Sequence, residues 1–300
     1  MSVLKFHDVR RAYVSGKNVL DGVSFDVNKG EVVGLLGRNG AGKTTLVRLA
    51  MGMIAPQGGE VSLFGMDPRS QPLAVKRRIG YVSEDQILPG FLAIGQVLQL
   101  HRELFPDWDD LMADELLRRY GLEHGRRIKT LSKGQARQVA LLCAVCHKPE
   151  VLILDEPAGG LDPAARRDFL ETSIRLLNES GSTILFSSHH MGDVERMAGR
   201  AVMLHDGKVL VDDDLDAMQE RFSLLIVPHV DAGPEEDRRA RLSAHPDCLA
   251  VRDRLDGWHI VIRRTPDGAL AAAADLHFDN ARATVLGLEE LFIELAEGQS

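Results

Sequence analysis

The octapeptide Gly37-Arg38-Asn39-Gly40-Ala41-Gly42-Lys43-Thr44 has the spacing G-x-x-x-x-G-K-[ST] and runs directly into Thr45. Glycines at that spacing let backbone N–H groups close around a phosphate, the lysine reaches the outer phosphates, and the hydroxyl holds Mg²⁺. Its surroundings separate it from an unrelated glycine turn. Glu31-Val32-Val33-Gly34-Leu35-Leu36 is a short apolar run ahead of it, and residues 45–53 behind it have helical character. The order is strand, glycine loop, helix, so a helix N-terminus adds its dipole to the cradle. Gly37, Arg38, Asn39, Gly40, Ala41, Gly42, Lys43, Thr44 and Thr45 are therefore the first candidate site residues.

Upstream, residues 3–9 and 19–27 read as strands joined by the turn signal Ser15-Gly16-Lys17-Asn18, an antiparallel layer. Downstream, apolar runs at 79–83, 151–154, 183–186 and 201–204 are too short for typical helices and suit a parallel sheet covered on both faces. Between them the pattern changes to helical spacing, with helices expected over 92–104, 111–120 and 135–146. A helical insertion, about 86–149, thus splits an α/β core. Past Phe222 the chain reads strand (224–227), helix (234–244), two strands (249–255 and 258–263), an alanine-rich helix and an amphipathic close at 288–295.

The run Val151-Leu152-Ile153-Leu154 ends in Asp155, Glu156 and Pro157. Alone this is any strand running into a surface loop. Beside a phosphate loop, Asp155 is expected to hold Mg²⁺ through water, and Glu156 to orient or deprotonate the water attacking a γ-phosphate. Just before that strand, Leu131-Ser132-Lys133-Gly134-Gln135 opens a helix. Here the chain resembles the ATP-binding cassette (ABC) ATPases, whose signature LSGGQ it matches with Lys133 for the first glycine.

What the resemblance implies can be followed in order. Tyr13 falls where the family stacks an aromatic on adenine, although a tyrosine packed in the sheet is an equal alternative. Ala158-Gly159-Gly160-Leu161-Asp162 follows the acidic pair as the family's D-loop does, with Asp162 as its aspartate. His189, after Ser187-Ser188, takes the place of the switch histidine that contacts the γ-phosphate. The family glutamine is replaced by Glu84, with Gln86 two residues on. Ionised glutamate accepts hydrogen bonds and cannot donate an amide proton, so contact with Mg²⁺ or water survives and the donation is lost.

The implied fold is α/β: a P-loop NTPase core with an N-terminal antiparallel β layer and an inserted helical subdomain, residues 1–222, plus a small C-terminal α/β accessory domain, residues 223–300. The implied catalytic set is Lys43, Glu156 and His189, with ATP and Mg²⁺ as ligands and Thr44, Glu84 and Asp155 at the metal. One set of motifs per chain implies a second nucleotide-binding subunit, a homodimer in the family's manner, with Ser132 and Gly134 of one copy facing the phosphate loop of the other and Gln135 among the implied nucleotide contacts. An integral membrane permease subunit is the other implied partner, received where the helical subdomain meets the Glu84 loop. Glu84, the LSKGQ form and the closing segment 288–295 resemble the ABC-2 type export class.

Other features exclude alternatives. The charge is −8, an unfavourable balance for nucleic acid, and residues 223–300 carry 14 acidic side chains against 8 arginines and no lysine. That shift sets the last segment apart. Cys143-Ala144-Val145-Cys146-His147 has the c-type haem spacing but lies inside an apolar helical run, where buried free cysteines are expected. Asp107, Asp109 or Asp110 in Pro106-Asp107-Trp108-Asp109-Asp110 should cap a helix. The longest uncharged stretch, 86–100, is shorter than the ~20 apolar residues of a spanning helix. The N-terminal residues lack a signal peptide's pattern, so a cytoplasmic address, peripheral at the membrane through the permease, is expected. A non-transport ABC ATPase acting on a soluble complex is the alternative, without the coiled coils, second cassette or basic segments such members carry. A P-loop kinase leaves residues 131–135 unexplained.

Overall fold

Two kinds of strand sequence build two different sheets in the first part of the chain. The computed structural model describes residues 1–14, 16–84, 88–229, 240–278 and 280–297, which fall into two compact units, Met1–Val211 and Asp212–Ser300. In the first unit, strands β1 (Ser2–Val14), β2 (Lys17–Asn28) and β4 (Gly58–Leu63) form an antiparallel sheet in the order β2-β1-β4. β1 runs past the expected end at residue 9 because the register shifts between Phe6 and Val9, where Asp8 adopts a φ of 47°. That bulge resets the inward and outward alternation and lets the strand continue.

The near-continuous apolar runs give five strands of the second sheet, and the more polar strand Lys208–Asp214 lies at its edge. β3 (Val32–Gly37), β5 (Ile79–Val82), β6 (Val151–Asp155), β7 (Thr183–Ser188), β8 (Arg200–His205) and β9 (Lys208–Asp214) lie in the order β5-β6-β7-β3-β8-β9. The pairs β5·β6, β6·β7, β7·β3 and β3·β8 are parallel, and every residue of β6 and β7 is buried. Helix α1 (Lys43–Ala50) follows β3. It shares one core with both sheets: Leu46, Val47 and Leu49 pack among Leu4, Phe6 and Val9 of the antiparallel layer and Leu35, Ile153 and Leu185 of the parallel one. The phosphate loop is therefore anchored at both ends by buried structure.

After the short helix α2 (Pro72–Lys76) come α3 (Ile94–Leu104), α4 (Asp110–Arg119), a 3₁₀ turn (Ile128–Thr130) and α5 (Lys133–Val145), the helical insertion. Asp109 is the residue that caps α4, its Oδ1 accepting from Met112 N–H at 2.9 Å. Cys143 and Cys146 are free and buried, and burial pushes the Cys143 thiol up to about 12. Helices α6 (Pro163–Ser180) and α7 (Met191–Met197) follow β6 and β7.

The second unit begins eleven residues ahead of the boundary expected after Phe222. Helix α8 (Leu215–Arg221) is counted with it, and Met218 and Phe222 are buried. The acidic bias already begins at Asp212-Asp213-Asp214, so a charge count begun at residue 223 starts it late. Strands β10 (Ser223–Val227), β11 (Cys248–Arg254), β12 (Gly257–Ile262) and β13 (Arg282–Val285) make an antiparallel sheet ordered β11-β12-β10-β13. Helix α9 (Pro266–Asp275) lays Ala269, Ala272 and Ala273 on Leu225, Ile260 and Ile262. Helix α10 (Leu288–Glu297) takes the other face, where Arg252 donates to the carbonyls of Ile293 and Glu294 and pairs with the Glu294 carboxylate at 2.9 Å. Most of the helix expected over 234–244 lies outside the described residues. Among the described residues no helix is long and apolar enough to cross a membrane.

Candidate functional site

At the C-terminal end of β3 the chain turns through Gly40, φ 86°, and Gly42, φ 107°, before α1 begins at Lys43. These left-handed conformations suit glycine alone, and a Cβ on Gly42 would stand 2.5 Å from Leu20 Cδ2. Lys43 is drawn inward, 5% exposed. Its Nζ donates to the Gly37 carbonyl at 2.6 Å and lies 3.2 Å from Glu156 Oε1. A pocket of about 400 Å³ opens over the loop, lined by Tyr13, Val19, Arg38, Asn39, Gly40, Gly42, Lys43, Thr44, Thr45, Glu84 and Glu156.

The parallel register delivers the acids. β6 pairs with β7 so that Asp155 stands opposite Ser187, and β3 pairs with β7 on its other side. Ser187 Oγ donates to Asp155 Oδ1 at 2.7 Å and accepts the Glu156 N–H at 2.8 Å. Thr44 Oγ1 donates to the same Asp155 oxygen at 3.2 Å. Burial pushes the Asp155 carboxyl upward, against the bonds from Ser187 and Thr44. Glu156 sits at φ 46°, a backbone costing a non-glycine residue roughly 1–2 kcal/mol, and is 7% exposed. Its Oε2 meets His189 Nδ1 at 2.8 Å, while Oε1 is buried beside Lys43 without an aligned hydrogen bond.

This arrangement has the parts for phosphate chemistry. The hydroxyl of Thr44 and the carboxylate of Asp155 are hard oxygen donors close enough to share one ion. No group of three or more His, Cys, Asp or Glu among the described residues forms a cage. Such a sparse donor set suits Mg²⁺, which keeps waters and takes substrate phosphates as ligands. Glu84 reaches the same pocket from the loop after β5, its side chain beside Gly159. Gln86 lies outside the described residues.

Tyr13 is 51% exposed, so it is not a packed sheet residue. Its ring stands at the pocket edge with its hydroxyl 3.4 Å from Thr45 Oγ1 and the Arg11 guanidinium 5.2 Å from its centroid. Ser132, Gly134, Gln135 and Asp162 do not line the pocket. Ser132 and Gln135 form a reciprocal capping box at the start of α5, the Ser132 Oγ accepting from Gln135 N–H at 3.2 Å and the Gln135 Oε1 from Ser132 N–H at 3.1 Å. Asp162 accepts from Ala165 N–H at 3.0 Å at the start of α6.

Two further residues shape the site without any motif to announce them. Ser187 is a small polar residue ending an apolar strand, and the parallel pairing beside Asp155 is the signal that could have found it. Arg137 of α5 reaches the carbonyls of Glu84, Glu156 and Pro157. Nothing in its sequence spacing marks that role.

A family model described as ABC transporter matches residues 20–159. The chain is 33% identical over 209 residues to the ABC transporter ATP-binding protein YtrB of Bacillus subtilis, covering 70% of this chain and 71% of that protein. It is 32% identical over 225 residues to the bacitracin transport ATP-binding protein BcrA of Bacillus licheniformis, covering 73% and 72%. With the phosphonates import ATP-binding protein PhnC of Trichormus variabilis it shares 34% identity over 235 residues, covering 73% and 96%. The solved structure of an ATP binding subunit of an ABC transporter matches with a TM-score of 0.64 at 30% identity, over 73% of this chain and 92% of that one. With the phosphate loop and Glu156 lining one pocket, and Asp155 and His189 bonded to Thr44 and Glu156 beside it, these likenesses place this chain in the family of ABC transporter ATP-binding proteins, whose cassette binds and hydrolyses ATP.

Proposed function

We propose that this chain energises a membrane exporter, as a pair of copies docked on an integral membrane permease at the inner face of the membrane. The observation that carries the export reading is one of length. The matches to YtrB and BcrA cover 71% and 72% of those proteins, close to the 70% and 73% of this chain, whereas the match to the import protein PhnC covers 96% of it. The pairing is supported by the division of motifs: the phosphate loop and Glu156 line one pocket, and Ser132, Gly134, Gln135 and Asp162 stand away from it. A second copy would supply its own Ser132 and Gly134 to the open side, enclosing ATP between the two.

In this reading Lys43 exchanges the Gly37 carbonyl and Glu156 for the outer phosphate oxygens of ATP. The loop N–H groups and the α1 terminus hold the remaining phosphate charge, and Tyr13 meets the adenine. Thr44, Asp155 and Glu84 would hold Mg²⁺, which supplies charge neutralisation on the phosphates. Glu156, freed from Lys43, orients the attacking water and takes its proton, while His189 contacts the γ-phosphate.

The test is purification of the tagged full chain from detergent-solubilised membranes. A multi-spanning protein should accompany it in stoichiometric amount, and recovery of the chain alone would count against the permease. Direction is read from the solute that stimulates hydrolysis by that complex: ATP-driven accumulation in inside-out vesicles marks export, and accumulation in right-side-out vesicles marks import.

A further inference from the structure

We infer that Arg137 is a positioning residue for hydrolysis, holding the Glu156 backbone and the Glu84 loop in one guanidinium fork. It lies in the second turn of α5, half-buried, and points toward the acids. Its Nη1 donates to the Glu156 carbonyl at 3.0 Å and also to that of Pro157, and its Nη2 donates to the Glu84 carbonyl at 2.8 Å. The three acceptors belong to two loops that are distant in sequence, and both loops carry a carboxylate into the pocket.

Glu156 needs such a clamp. Its left-handed backbone is not self-supporting, and each end of the residue is tied by something outside it. The N–H is taken by Ser187 Oγ; the carbonyl is taken by Arg137 and by the Gly159 N–H at 3.0 Å. Removing Arg137 leaves the carboxylate chemically intact but frees the peptide that aims it. A lysine would keep the charge as a point donor and lose the planar fork that serves both loops at once. The inference rests on Glu156 acting on the water, as proposed above.

Arg137→Ala, Arg137→Lys and, in parallel, Glu156→Gln are compared in the purified full chain. Misplacing a reacting group by about an ångström costs up to ~10²-fold, so Arg137→Ala should lower kcat by about 10- to 100-fold. KM for ATP and nucleotide Kd should stay within about threefold, since the interaction lost serves the chemical step. Added guanidinium ion should restore much of the activity of Arg137→Ala, and Arg137→Lys should recover only part. A kcat for Arg137→Ala within about twofold of the parent would overturn the inference. So would loss of activity together with a melting point lowered by more than about 4 °C and no guanidinium rescue, which marks a scaffold role. An inactive Glu156→Gln beside a fully active Arg137→Ala removes Arg137 alone, whereas a fully active Glu156→Gln removes the reading beneath it.

Discussion

Glu156 is a buried carboxylate gripped between Lys43 and His189 at the floor of an open pocket. Glu156→Gln keeps the shape and removes the base. It should bind ATP and lose turnover by at least ~10²-fold, read by phosphate release. Lys43→Ala should instead weaken nucleotide binding, visible in an equilibrium titration. Glu84→Gln keeps an acceptor oxygen and should hydrolyse within about tenfold of the parent, a barrier change below ~1.4 kcal/mol. Glu84→Ala should impair permease-stimulated hydrolysis more than binding, and loss of stimulation in Gln86→Ala alone would move that role by two residues. The phosphate loop and the acidic pair were legible in the sequence because phosphate chemistry favours those residue types at strand ends, and His189 was legible only through the family resemblance. Ser187 and Arg137 were not, since their partners arrive through strand register and a helix crossing rather than along the chain.

The helices and strands carry their own stops and starts. Asp109 caps α4 and pairs with Lys148 at 3.0 Å. Asp109→Ala should cost about 1 kcal/mol of stability, while Asp109→Asn, still a good cap, should retain most of it. The Met112 N–H, then Lys148, hold the Asp109 carboxyl below the ordinary range. Its contribution is therefore complete above the unfolded value of about 3.9 and fades as pH falls through that value toward the folded one. Thermal unfolding of parent and Asp109→Ala across that range should converge at low pH. Central buried strands were readable as apolar runs. β4, β9 and β13 were not, because each is short of buried apolar positions: Val61 and Leu63 in β4, Val211 in β9, none in β13.

At the level of the whole chain, the division into compact units falls at Asp212 and takes α8 into the second unit, against the start at residue 223 expected from the charge shift. A fragment ending at Asp214 keeps all six strands of the larger sheet and should unfold cooperatively and bind ATP, checked by calorimetry and nucleotide titration. Global unfolding of that fragment would tie the second unit to the core. On the proposed reading Ser132 and Gly134, which do not line the pocket of Lys43 and Glu156, close the corresponding pocket of a second copy. Light scattering of full-length Glu156→Gln with ATP and Mg²⁺ tests this most directly. A nucleotide-dependent mass of twice the chain's 33.0 kDa is the expected result, and a monomer that stays at 33.0 kDa with ATP bound would contradict it.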